Sequence, residues 1–376
     1  MPPLTIRDYL AGSRTRAADV QVALKPAHTI VNSLTLLAKP DDNTGLGGWI
    51  ASTDRAMSVE ERQTHRLVVL GFFTVLLPMR DWPSFEEYLR HMEEMDPAEM
   101  LDKVVSTYSC RTKGGSINER PVSLEEFRKE ALASRETYLT YIRDRFDDDE
   151  WHPDLEAVAY DYLIDPPRMK ELIVTHIRKI WLEYMQPEWQ RTAPLLNEAV
   201  RAFEQVDFAS MTRLEAAEFI TGRDLEPEKW QDLFTDGKQL IFVPNPHMGP
   251  YLSITSIGES TYVFFGPRPP KGVRVNAPGL SRNEILVRLD ALNDDSRLQI
   301  LRLIAEAGEL RSQDVIQELG LSQSMASRHL KQLAATGFLV ERRCEGSKCY
   351  RLNVNRLEDT LKAISLFLTR PGGSDT

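Results

Sequence analysis

The chain has 376 residues, with 46 Lys and Arg against 56 Asp and Glu, a formal net charge of −10. A domain takes roughly 100–200 residues, so two or three domains are expected. The 42% apolar and 27% charged content excludes wholesale disorder and a collagen-like or disulfide-built scaffold. The acidic balance excludes a surface that coats nucleic acid or anionic membrane everywhere, but not one basic patch on an acidic body.

At the start, Arg7 and Asp8 stand beside Leu4 and Ile6 and no apolar run follows, so no signal peptide is expected. Val20–Leu24 reads as a short strand. Ser58-Val59-Glu60-Glu61 opens a helix that runs into the apolar stretch Leu67–Met79 and stops at Pro78. That stretch has 13 residues between Arg66 and Arg80. A membrane span needs about 20, so it is expected to be a buried core helix, with no membrane partner.

Ser84 caps a short helix carrying Phe85, Tyr88 and Leu89. Ser123-Leu124-Glu125-Glu126 is a capping box, predicting a long helix to about Phe146. The following Asp147-Asp148-Asp149-Glu150 run reads as solvated charge rather than a cation site. From Pro166-Pro167, the residues Met169, Leu172, Ile173, His176, Ile177, Ile180, Trp181 and Tyr184 recur at three- and four-residue steps. They predict one apolar helix face, kinked or ended by Pro187.

Gln239–Val243, Tyr251–Thr255 and Thr261–Phe265 are short, β-branched and aromatic, separated by Pro, Gly, Asn and Ser. They predict two or three strands of a small antiparallel sheet. His247, between two of them, has no second His or Cys at ligand spacing and reads as a loop histidine. Gly266-Pro267-Arg268-Pro269-Pro270-Lys271-Gly272 then reads as a linker.

Charge divides the chain near residue 280. Residues 281–376 carry 14 basic and 13 acidic side chains, whereas 1–280 carry 32 and 43. All six tryptophans lie in the first part, which is therefore a folded body.

Past the seam, Ser281 and Glu284 form a capping box before Ile285, Leu286, Leu289 and Leu292. Asp294-Asp295-Ser296-Arg297 restarts the helix, which Gly308 ends. Ser312 is expected to cap a short helix with Val315, Ile316 and Leu319. Gly320-Leu321 turns the chain, and Ser322 caps a third helix to about Thr336. Two short helices around a glycine turn form the helix-turn-helix pattern, whose second helix enters the major groove.

On that second helix Ala326, Leu330 and Leu333 face inward, leaving Gln323, Ser324, Ser327, Arg328 and Lys331 outside. Short polar groups near a helix start can approach base edges, and cations can pair with phosphates. Two strands around Gly346-Ser347 follow, the wing of a winged helix. Arg328, Lys331, Arg342, Arg343, Lys348 and Arg351 stand here against Glu341 and Glu345. The expected DNA-contacting set is Ser322, Gln323, Ser324, Ser327, Arg328, His329, Lys331, Arg342, Arg343 and Lys348.

Residues 280–355 resemble the ArsR-type winged-helix transcriptional regulators. The resemblance rests on Asp294-Asp295-Ser296-Arg297-Leu298, Leu321-Ser322-Gln323, Ser327-Arg328-His329-Leu330 and Tyr350-Arg351-Leu352, in that order. It covers about a fifth of the chain. It implies a homodimer on a near-palindromic double-stranded DNA operator, and a repressor. Metal sensors of that family place cysteines in the helix-turn-helix and histidines or acids on the last helix. Here Asp314–Leu319 has no Cys and Asn355–Leu368 no His, so no metal and no cofactor is expected.

The last helix carries Leu357, Leu361, Ile364 and Leu368 in one stripe. The stripe either packs on its own domain or, as the resemblance implies, joins a dimer interface with Ile285 and Leu289.

Of the three cysteines, Cys110 stands alone and the count suits a reducing cytosol. If Gly346-Ser347 is a two-residue turn, Cys344 faces Cys349 across the wing, outward, with Cα atoms about 4.5 Å apart. That is near the lower end for a disulfide, so a redox pair is geometrically open. A soft metal or arsenical would be left with an incomplete site, and the plain reading is a reduced, inert pair.

HExxH, GxxxxGK[ST] and GxSxG are absent, and no enzyme is expected. The expected fold class is α+β, mainly α: a helical body with a small antiparallel sheet over 1–265, a linker over 266–280, a winged helix-turn-helix over 281–370 and a disordered tail over 371–376. The size of the body suggests a small-molecule effector or a dimerisation role. A winged helix used for protein–protein contact is the alternative to DNA binding.

Overall fold

A computed structural model describes residues 17, 19–40, 46, 48–110, 123–146, 152–222, 225, 239–267, 282–344 and 347–369. The acidic run 147–150, Ser281 and the tail 371–376 lie outside the described residues, as does most of the expected linker. The chain forms two compact units: 25–39 with 49–192, and 1–24 with 40–48 and 193–376.

The first unit is helical. It comprises α1 (Pro26–Ala38), α2 (Gly48–Ala56), α3 (Val59–Arg66), α4 (Phe85–Glu94), α5 (Pro97–Cys110), α6 (Leu124–Glu130), α7 (Arg135–Arg143), α8 (Pro153–Leu163), α9 (Pro166–Ile180) and the start of α10 (Gln186–Glu204). Ser58 and Glu61 complete a capping box at α3, and Ser84 Oγ accepts from Glu87 N at 3.2 Å at α4. Aromatic and aliphatic side chains fill the interior, among them Phe72, Phe85, Phe127, Tyr138 and Trp181.

Three expectations change here. The apolar stretch after α3 is buried, but it winds as a π-helix over Leu67–Gly71 and a 3₁₀ turn over Phe73–Leu76. The helix opened by Ser123 stops at Ala131. Ser134 then starts a new one, its hydroxyl accepting from Thr137 N at 3.1 Å, because a serine cap competes with helix continuation. Pro187 does not end its helix. The chain passes through a π-turn, Trp181–Met185, into α10. Proline has no N–H for the carbonyl four residues back, and the wider turn absorbs that mismatch.

In the second unit a four-stranded sheet holds β1 (Val20–Val22), β2 (Gln239–Pro244), β3 (Leu252–Ile257) and β4 (Ser260–Phe265), in the order β1-β2-β4-β3. Only β3 and β4 are antiparallel; β1, β2 and β4 run parallel. The expected antiparallel sheet is therefore mixed. Its cause is loop 245–251, which carries the chain from β2 past the end of β4 to β3, so that β4 returns between them. Phe203, Phe242, Val263 and Phe265 pack with Ala216 and Ile220 of α11 (Arg213–Thr221) beneath this sheet.

The same unit ends in α12 (Arg282–Leu292), α13 (Asp295–Ala307), β5 (Leu310–Arg311), α14 (Ser312–Leu319), α15 (Gln323–Ala335), β6 (Leu339–Cys344), β7 (Ser347–Leu352) and α16 (Val354–Thr369). Ile300, Ile304, Val315, Leu330, Leu333 and Phe338 form its core, with Tyr350 from the wing. Among the described residues, no helix is long and apolar enough to cross a membrane.

Candidate nucleic-acid interface

The turn between α14 and α15 is fixed locally. Gly320 takes φ +61°, the left-handed conformation that suits a residue without Cβ. Ser322 Oγ accepts from Met325 N at 3.2 Å and caps α15. The start of α14 differs from expectation: Ser312 is its first residue. Asp314 reaches back to accept from Arg311 N at 2.8 Å, since a carboxylate in the first turn serves both the open amide and the helix dipole.

Ala326, Leu330 and Leu333 of α15 are fully buried, so the opposite face is forced outward. Ser322, Gln323, Ser324, Ser327 and Lys331 are exposed on it, and Arg328 is half-buried. Its Nε is enclosed without a hydrogen-bond partner. His329 sits elsewhere: it is 5% exposed, and burial holds its imidazole below the ordinary value. Among the expected contact residues whose side chains are described, His329 is the one the fold turns inward.

The wing is a β6–β7 hairpin in which Cys344 pairs with Ser347 and Arg342 with Cys349. Ser347 is therefore a strand residue rather than part of the turn, and residues 345 and 346 lie outside the described residues. In this register Cys344 stands opposite Ser347 and Cys349 opposite Arg342, so the two cysteines are not opposed. Cys349 is buried, not outward, because β5 pairs on its far side, Arg311 opposite Cys349. Cys349 is disulfide-bonded.

The wing cations are partly neutralised. Arg342 Nε and Nη2 each meet the Glu309 carboxylate at 2.5 Å, and Lys348 Nζ meets Glu341 Oε1 at 3.1 Å. The Arg342 guanidinium holds the Glu309 carboxyl below the usual range. The side chains of Arg343 and Cys344 lie outside the described residues. The sequence count balanced this patch against Glu341 and Glu345 only. Glu309 was missed because it enters through β5, a two-residue strand with no pattern of its own.

Beside this surface, Arg288 Nη1 donates to Thr360 Oγ1 at 2.9 Å and joins α12 to α16. Ile285 is buried, and Leu357 and Ile364 are half-buried. Leu289, Leu361 and Leu368 are exposed. The inner residues of the stripe thus pack on their own domain, and its outer ones are exposed. No group of three or more His, Cys, Asp or Glu able to hold a metal ion is found among the described residues.

Three helices, a glycine turn and a two-stranded wing define a winged helix-turn-helix. Residues 294–340 match the family described as "Bacterial regulatory protein, arsR family". Two arsenic resistance transcriptional regulators of Pseudomonas putida KT2440 are similar to this chain. ArsR1 is 40% identical over 79 residues, 20% of this chain and 62% of that protein. ArsR2 is 41% identical over 63 residues, 17% of this chain and 55% of that protein. A solved structure titled as the AntR antimony-specific transcriptional repressor aligns at 24% identity and a TM-score of 0.20, covering 26% of this chain and 91% of that one. The C-terminal region is an ArsR-type helix-turn-helix; the chain spans about half to two-thirds of the length of the curated relatives it matches.

Proposed function

We propose that this chain is a sequence-specific DNA-binding transcriptional regulator, a repressor that binds a near-palindromic operator as a homodimer. The observation that carries the reading is α15, whose fully buried Ala326, Leu330 and Leu333 present Ser324, Ser327, Arg328 and Lys331 on the opposite face. Serines at the helix start suit base edges and the cations suit phosphates. The ArsR-type match over 294–340 supports the same reading. The exposed Leu289, Leu361 and Leu368 support a second copy as the partner on α12 and α16. The helical unit is the seat of effector control: an effector that binds one state better shifts the population that can hold DNA.

Selection of bound duplexes from random DNA by the purified chain tests this. Two inverted half-sites centred about 10 bp apart are expected, the spacing of one helical turn. An unenriched pool contradicts it and favours a winged helix that contacts protein.

The disulfide at Cys349 favours a second reading, redox control through the wing. Cys344, on the paired strand, is the proposed partner. Closing the bond takes two protons and two electrons from two thiols, delivered to a disulfide oxidant such as oxidised glutathione, which leaves as two thiols. Operator affinity that is equal in dithiothreitol and in oxidised glutathione, and unchanged in Cys349→Ser, contradicts this reading.

A further inference from the structure

The sheet of the second unit places an aromatic ring over the recognition helix. Loop 245–251, between β2 and β3, is built as fixed structure. Asn245 N donates to Phe265 O at 2.8 Å, His247 N to Asn245 Oδ1 at 2.8 Å, and Tyr251 N to Met248 O at 3.1 Å. Asn245, His247, Met248 and Tyr251 are all buried. Where the loop crosses the end of β4, a Cβ on Gly266 would meet Gly249 O at 2.7 Å, so only glycine allows the crossing. Surface loops ordinarily run exposed, and a buried, internally bonded one holds its side chains in place. The Tyr251 ring centroid lies 5.6 Å from Lys331 Nζ, within cation–π reach.

Lys331 is one of the two cations on the outward face of α15. Two consequences follow from where the ring sits. The ammonium faces a π surface at a position a phosphate would take. Space is the second: a helix with its side chains is about 10–12 Å across, and the major groove is about 12 Å wide. A docked recognition helix fills the groove, so the groove walls occupy the volume directly beyond its outward cations. A loop whose ring stands 5.6 Å from Lys331 Nζ occupies that same volume.

We propose that the Tyr251 loop is an autoinhibitory latch on the recognition helix, and that DNA binding requires the loop to leave Lys331. The inference rests on the DNA-binding reading above and adds its control element: the loop holds Lys331 until it is moved.

The test uses the full chain and a duplex recovered by selection. Tyr251→Leu removes the ring and is expected to tighten binding about two- to fivefold, the equivalent of one exposed cation–π contact. Tyr251→Phe keeps the ring and stays at the wild-type affinity. In a Lys331→Gln background, Tyr251→Leu gains nothing. A Tyr251→Leu variant that binds as wild type or weaker overturns the latch while leaving DNA binding intact. If neither wild type nor variant binds any duplex, the DNA-binding reading fails and the latch with it. Hydrogen exchange of amides 245–251 in the wild-type chain needs no variant to fold. Exchange that quickens when the duplex is added supports release, and exchange that is unchanged or slower overturns it.

Discussion

Arg297 Nε donates to the Ala291 carbonyl at 2.7 Å, and its Nη2 donates to the Asp290 carbonyl at the same distance. These are last-turn carbonyls of α12, which lack partners inside their own helix. Arg297 is buried, and its backbone N–H is in turn held by Asp294 at 2.9 Å. The Asp294–Leu298 motif, one of those that carry the family resemblance, is thus an internal clasp between α12 and α13 and not part of the outward face of α15. Arg297→Met is expected to destabilise the winged helix by about 2–3 kcal/mol, the cost of losing charge-assisted bonds to two carbonyls, of which Asp290 O keeps only the Asn293 N–H at 3.2 Å. Urea unfolding reads the loss. DNA affinity should recover in full at temperatures where the variant is folded.

Glu309 restrains a wing cation. Glu309→Gln releases Arg342 for a phosphate, so operator affinity rises and the slope of log affinity against log salt steepens by about one ion. The thermal midpoint barely moves, since exposed ion pairs contribute little to folding. A variant with unchanged affinity and slope places Arg342 off the DNA.

The helical unit buries a histidine pair. His65 Nε2 lies 2.9 Å from Leu34 O, which can only accept, so that nitrogen carries the hydrogen. His65 Nδ1 is then an acceptor, and His176 Nε2, 3.1 Å away, is the donor. Both rings are neutral. Burial lowers His65 to about 4 and His176 to about 3, and His28 likewise to about 4. A histidine depressed in the folded state contributes stability above its ordinary value near 6.5 and loses it as pH falls through the folded value. Unfolding midpoints should therefore drop from pH 6.5 to 4. A level profile over that window contradicts the neutral pair.

Glu156 works in the opposite sense. Tyr138 OH donates to its Oε2 at 2.6 Å, and burial pushes the carboxyl up to about 7. Its contribution is complete below 4.5, its ordinary value, and fades as pH rises through 7. Between 4.5 and 6.5 the three histidines outweigh it; above 6.5 it acts alone. Stability should peak near pH 6.5. Glu156→Gln, measured by the same unfolding series, should abolish the decline on the alkaline side of that peak and leave the acid side in place.

What the sequence made legible was local. Ser58, Ser84, Ser123, Asp294 and Ser322 each cap a helix through an amide three residues on, and the pattern is readable because both partners sit in one turn. The outward face of α15 was legible for the same reason, Ala326, Leu330 and Leu333 fixing its opposite side. His329 was not, since it lies at the edge of that stripe and turns toward Asp294 and Arg297 only through tertiary packing. The Arg342–Glu309 pair and the Tyr251–Lys331 contact join distant segments, and neither leaves a periodic trace. The parallel pairing of β2 with β4 follows from a loop crossing, which strand composition does not encode.

The central claim is that α15 holds DNA through its outward cations. The direct measurement is operator affinity from about 50 to 200 mM salt for the wild-type chain and for the Arg328→Ala, Lys331→Ala double variant. The account predicts weaker binding to every sequence and a slope smaller by nearly two ions. Equal affinity and an equal slope would contradict it.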